Sequence, residues 1–189
     1  ILIEMFPKHD DFAVRTVGLP GMLGALGACF GTVVTLDSPR ARPPGEFSWQ
    51  ETLWHELTHV MTLQMSNNRV PRWLTEGISV WEEQRGRPDW GRETHVPFAQ
   101  ALEAGKTLKL KDLNEGFQDP QMIVLSYYQA SLVVDHLVKT YGEPKLRAFL
   151  RKPRSARVNT TMTTMTGWLR RRIDMQRKRS TPPTLVKLD

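Results

Sequence analysis

The spacing of apolar residues changes along the chain, and each change predicts a different element. Ile1, Ile3 and Met5 are apolar at alternate positions, which predicts a strand in the first sixteen residues. The weakly polar stretch from Val17 to Leu36 carries five glycines (Gly18, Gly21, Gly24, Gly27 and Gly31), so it reads as loop and strand. Within it Thr32-Val33-Val34-Thr35-Leu36 is a β-branched run closed by Asp37-Ser38-Pro39, a strand followed by a turn. Pro39, Pro43, Pro44 and Gly45 then mark a loop. From Ser48 the period becomes helical, with Leu53, Leu57, Val60, Met61 and Gln64 on one side.

Ser48-Trp49-Gln50-Glu51 fits a capping box, in which hydroxyl and carboxylate satisfy the first orphan N–H groups. That helix is expected over 48–65, stopped by Asn67-Asn68 and Pro71, and a second over 72–84, ending before Gly86 and Pro88. A short helix is expected over 98–104. A long one is expected from Asp119-Pro120 to Tyr141, with Asp at N-cap, Pro at N1 and Gly142 past its end. Glu143-Pro144 opens another, carrying Leu146, Phe149 and Leu150. The sum is an α+β fold, mostly helical, with a small β element on its N-terminal side and no internal repeat.

Composition divides the chain. Residues 151–189 hold 11 basic and 2 acidic residues, whereas 1–150 hold 15 basic and 18 acidic, so the net charge of +6 belongs to the tail. The run Asn159–Thr166, the clusters Arg170-Arg171-Arg172 and Arg177-Lys178-Arg179, and Pro182-Pro183 predict a basic, weakly folded end after a domain over 1–150. No aromatics interleave the basic clusters, so no specific nucleic-acid partner is expected. No run approaches the roughly 18 apolar residues that span a bilayer, so no transmembrane segment is expected. Cys29 stands alone, which excludes an internal disulfide and a cysteine-rich zinc site. The chain starts at Ile1, which suggests a piece of a longer protein.

The chemistry lies in His55-Glu56-Leu57-Thr58-His59. Two histidines four apart on a helix project from one face, about one turn apart, and can reach one Zn²⁺ together. Glu56, about 100° round the helix from its neighbour, can address a water without occupying the metal. A hydrolytic site needs a third protein ligand. Glu76 lies 17 residues after His59, room for a turn and an antiparallel return, while His95 and His136 are the alternatives. Trp49, Trp54, Trp73 and Trp81 are expected to pack the two metal-bearing helices together. Glu82 and Glu83 read as a solvated helix end, with a contact to a substrate amine as the alternative for either, and His9 as a surface or satisfied core residue.

The pairing of His-Glu-x-x-His with Trp73-Leu74-Thr75-Glu76-Gly77 resembles the gluzincin metallopeptidases, the peptidase MA-like domains related to thermolysin and the zinc aminopeptidases. The resemblance covers roughly 1–150 and implies a thermolysin-like (zincin) catalytic domain with an active-site helix pair. It implies one Zn²⁺ held by His55, His59 and Glu76, with Glu56 as general base and a peptide or protein as substrate. The segment Glu76–Glu82 is similar to the aminopeptidase branch; thermolysin has an aspartate where Val80 stands. Ser126-Tyr127-Tyr128-Gln129-Ala130-Ser131 resembles the helix that carries the oxyanion-binding tyrosine, so Tyr127 or Tyr128 is the catalytic candidate, with the spacing to Gly142 favouring Tyr127. Gly31–Leu36 lies where these enzymes place the edge strand that pairs with substrate. No Gly-x-Met-Glu-Asn segment precedes His55, so the implied activity is endopeptidase rather than aminopeptidase. The resemblance also implies an extracytoplasmic setting. A different class of function remains open, a catalytically inactive gluzincin-fold interaction module.

Overall fold

Residues 1–21, 24–91 and 94–152 are described by a computed structural model of the chain. The alternating start forms β1 (Leu2–Phe6), but the strand does not continue to residue 16. After it comes α1 (His9–Val17), with Asp10 and Asp11 in its first turn and Gly18 closing it at φ 76°, its N–H donating to the Val14 carbonyl. A left-handed closing residue of this kind is cheapest for glycine. β2 (Gly27–Phe30) and β3 (Val33–Asp37) complete a three-stranded sheet of order β1-β3-β2. β1 runs parallel to β3, Leu2 opposite Val33, and β2 runs antiparallel to it, Gly27 opposite Leu36. A parallel pair needs a crossover connection, and α1 is part of it.

This topology corrects the expectation for Gly31–Leu36. The β-branched run is the central strand, with Val34, Thr35, Leu36 and Asp37 all fully buried. The edge strand is β2, from the glycine-rich stretch. Continuous apolar and β-branched residues suit a strand covered on both faces, whereas the outer position tolerates glycine. At the end of β3, Asp37 Oδ2 lies 2.9 Å from His9 Nδ1 and accepts from Arg42 Nε at 2.9 Å. That cluster fastens the following loop to α1.

The loop leads into α2 (Trp49–Ser66), whose Ser48 Oγ accepts from the Glu51 N–H at 3.3 Å. Asn67 ends it in the left-handed region at φ 51°. α3 (Arg72–Gly86) follows directly after Pro71. α4 (His95–Glu103) begins three residues before the expected 98–104. A 3₁₀ turn over Leu110–Asp112 runs into the short α5 (Leu113–Gly116), neither of which the apolar pattern predicts. α6 (Ile123–Tyr141) starts later than Pro120. Asp119-Pro120 forms a turn instead, with the Asp119 carbonyl accepting from the Met122 and Ile123 N–H groups and its Oδ1 from Gln121. α7 (Glu143–Arg151) closes the described part, and the expected basic tail from 153 onward lies outside the described residues. Among the described residues no helix is long and apolar enough to cross a membrane.

The helices pack around α3, which is buried from Trp73 through Trp81. Trp73, Leu74, Ile78 and Trp81 meet Leu113 and Phe117 after α5, Ala130, Val133 and Val134 of α6, and Leu150 of α7. Each such fully buried aliphatic side chain contributes about 1.5–3 kcal/mol. α2 packs its other side on the sheet, Val60 against Val34 and Leu36, with Trp49 at the margin. Trp73 and Trp81 are therefore buried mainly against α6 and its neighbours rather than between α2 and α3, and Trp54 is 46% exposed and lies over Gly86. One glycine decides how near α3 comes to α6: a Cβ on Gly77 would sit 2.7 Å from the Ala130 carbonyl oxygen.

Gly77→Ala is therefore expected to push α3 from α6 and destabilise the domain by about 1–3 kcal/mol, despite the higher helix propensity of alanine. Equilibrium denaturation checks this, and an unchanged or raised midpoint contradicts the close approach.

Candidate metal centre

α2 and α3 carry the donors on facing surfaces. His55 and His59, one turn apart on α2, stand with ring centroids 4.7 Å apart. From α3, Glu76 Oε2 lies 3.2 Å from His55 Nε2 and 3.1 Å from His59 Nε2. One oxygen and two imidazole nitrogens thus point at a common spot, and the three residues form the one group among the described residues that could hold a metal ion. His95 and His136 do not join it. His95 rests on the Tyr128 ring at 5.0 Å, and burial lowers the pKa of His136 on α6.

The outer atoms of both imidazoles are engaged. His55 Nδ1 lies 2.5 Å from Glu83 Oε1 on α3. A carboxylate there holds a hydrogen on Nδ1, so Nε2 is the atom that gives up its proton to a cation. His59 Nδ1 lies 2.7 Å from Thr75 Oγ1, which is 2.6 Å from Thr62 Oγ1, and Thr62 donates back to the His59 carbonyl at 3.2 Å. Ser79 Oγ donates to the His55 carbonyl at 3.1 Å. Thr75, Glu76, Ser79 and Glu83 share one face of α3 because they recur at helical spacing.

Glu83, which the sequence places at a solvated helix end, is instead buried against His55. It is 7% exposed, whereas its neighbour Glu82 pairs with Arg85 near the surface. The signal was available: Glu83 is seven residues after Glu76, two turns along the same face.

Three carboxylates, those of Glu56, Glu76 and Glu83, are buried around this spot. Desolvation alone would lower the His55 pKa, but hydrogen bonds to Glu76 and Glu83 and the charges of Glu83 and Glu56 outweigh it and push it up to about 10. Burial would raise Glu76, yet its bonds to the two histidines hold it well below the usual carboxylate range. Burial raises Glu56, partly opposed by the histidines and reinforced by Glu76 and Glu83. The site favours positive charge, and two imidazoles with one carboxylate are a donor set that suits a divalent zinc-like ion.

Glu56 faces the sheet. A Cβ on Gly27 would come within 2.9 Å of Glu56 Cγ and 2.7 Å of Thr52 Cγ2, so only glycine lets β2 lie this near. The site opens into a cleft of about 740 Å³, lined by Gly24–Gly27 next to β2, by His55 and Glu56, and by Tyr127 and Tyr128. Tyr127 lies edge-on to His55, ring centroids 5.9 Å apart, and against Phe117 at 5.0 Å. Burial raises its pKa, as does the charge of Glu76, while Arg72 beside it works the other way. Tyr128 instead packs its ring into the cluster of Phe98, Leu102 and Leu132.

A sequence profile of the Peptidase MA superfamily matches residues 42–176, which includes every donor named above. No curated protein and no solved structure matches the chain.

Two outcomes are expected here. Glu83→Ala weakens metal binding by roughly 10–100-fold, with Glu82→Ala as a neutral control, measured by competition with a chromophoric chelator. Equal affinities in both variants contradict the support given to Glu83. Second, a metal must displace the His55 proton at any pH below about 10. Apparent affinity should therefore rise about tenfold per unit across roughly pH 6–8, and a flat profile contradicts the electrostatics described.

Proposed function

The chain belongs to the Peptidase MA superfamily, and from that premise we propose that it is a zinc-dependent peptide hydrolase. The observation that carries the proposal is the convergence of His55 Nε2, His59 Nε2 and Glu76 Oε2 on one point, beside an open cleft that His55 and Glu56 line. His55, His59 and Glu76 hold one Zn²⁺ per chain in a thermolysin-like, gluzincin arrangement. When bound, the ion supplies Lewis acidity for the scissile carbonyl and for the attacking water.

The protein's own groups do the rest. Glu56, buried and raised in pKa, takes the proton from the water and passes it to the departing amine. Raising a carboxyl toward neutrality suits it to both halves of that transfer. Tyr127 is the oxyanion donor of this reading: its ring borders His55, whereas that of Tyr128 is committed to the α4 cluster. A phenol whose pKa lies above its usual value stays protonated and able to donate.

β2, the outer strand on the cleft side, is the element we assign to the extended substrate, in place of Gly31–Leu36. Endopeptidase action on peptides or proteins is the reading we adopt, supported by an open cleft and by a sequence that carries no Gly-x-Met-Glu-Asn segment before His55. All these residues fall within 1–150, which we take as the catalytic unit.

Glu56→Gln is expected to retain one zinc per chain while hydrolysis of a fluorogenic peptide library falls at least about 1,000-fold. Tyr127→Phe should lower kcat by roughly 10²-fold and Tyr128→Phe far less. Hydrolysis retained in Glu56→Gln overturns the base. Wild-type protein that binds zinc but cleaves nothing points to a non-catalytic module of the same fold.

A further inference from the structure

Arg72 is a feature of the cleft that the proposed chemistry leaves unused. It is the first residue of α3, and its side chain is 48% exposed. Exposed arginines commonly sample many rotamers, but this one is fastened. Its Nε donates to Glu76 Oε1 at 3.2 Å, the oxygen turned away from the histidines, and its Nη1 to the Phe117 carbonyl at 3.4 Å. The guanidinium also lies over the Phe117 ring, 5.2 Å from the centroid. Phe117 in turn packs edge-on against Tyr127. Arg72, Phe117 and Tyr127 thus form one layer on the α6 side of the histidines, with Glu56 approaching from the β2 side.

The fork geometry of arginine matters here. Two of its three nitrogens bond Glu76 and the Phe117 carbonyl, while the same guanidinium reaches the Tyr127 hydroxyl by hydrogen bond and charge and lines the cleft. A lysine could neutralise Glu76, but its donors share one nitrogen and cannot span Glu76, the Phe117 carbonyl and Tyr127 as a rigid fork does. A negative charge forming beside the metal ligands, on the Tyr127 side, would meet a fixed cation as well as a phenol.

Resting on the hydrolase reading, we propose that Arg72 is a second donor to the oxyanion formed during peptide hydrolysis, acting beside Tyr127. It transfers no proton, since a guanidinium stays charged throughout; it holds the developing negative charge by a charge-assisted hydrogen bond. The ground-state carbonyl carries little charge, so the contribution falls on kcat rather than on KM.

The test compares zinc-loaded wild type with Arg72→Met and Arg72→Lys in three measurements: zinc per chain, kcat and KM for a peptide substrate, and calorimetric affinity for a phosphinic peptide, a stable tetrahedral oxyanion. Arg72→Met should keep one zinc per chain, lose about 100-fold in kcat with KM little changed, and lose about 100-fold in phosphinate affinity. Arg72→Lys should recover only part of each loss. If zinc falls in step with kcat, Arg72 acts through Glu76 and the assignment is overturned. It is also overturned if phosphinate binds Arg72→Met as tightly as wild type. Wild-type protein that loads zinc but neither cleaves peptide nor binds the phosphinate overturns the hydrolase reading, and this inference with it.

Discussion

The Glu76 carboxylate, about 3 Å from the Nε2 atoms of both His55 and His59, stands there because α3 lies buried between α2 and α6. Every other feature of the site depends on that placement. The same helix that brings Glu76 also brings Thr75 to His59, Ser79 to the His55 carbonyl and Glu83 to His55. Its depth is set by Gly77 against Ala130, where a single methyl group has no room. One element therefore supplies the third donor and the outer support of both histidines, and its register can be disturbed only as a whole.

That arrangement opposes folding economy. Glu56, Glu76 and Glu83 are each less than a tenth exposed, and carboxylates buried together are destabilising unless positive charge accompanies them. The histidines and Arg72 supply part of it, and a divalent ion would supply the rest. A domain built for stability alone would place apolar residues on this face of α3, as it does on the opposite face with Trp73, Leu74 and Ile78. The concentration of acid at one buried spot is a departure from ordinary core packing, of the kind found where a protein binds or reacts.

Local periodicity explains which parts were legible in the sequence. The α2 motif could be read because helix spacing alone puts His55 and His59 on one face, and Ser48 marks where the helix starts. Glu76 could be read because one turn and a return bring it back opposite. Glu83 was misread because a glutamate near a helix end is normally solvated; only the depth of α3 in the core makes its environment buried. Tyr127 and Tyr128 stand about 100° apart on α6 amid apolar neighbours, so periodicity could not choose between faces. Where α3 and α4 pack against α6 makes that choice, turning one ring to His55 and the other to Phe98. α1 was missed because nine residues give too short a period, and the edge strand because β2 carries almost no strand-forming residues besides Cys29 and Phe30.

The central claim, that His55, His59 and Glu76 together bind one zinc ion, is tested most directly by X-ray absorption at the zinc edge on protein loaded with one equivalent. The account predicts two imidazole nitrogens at about 2.0–2.1 Å with oxygen donors completing the shell, and loss of one oxygen scatterer or of binding itself in Glu76→Ala. A shell without imidazole scattering, or one unchanged by Glu76→Ala, would contradict it.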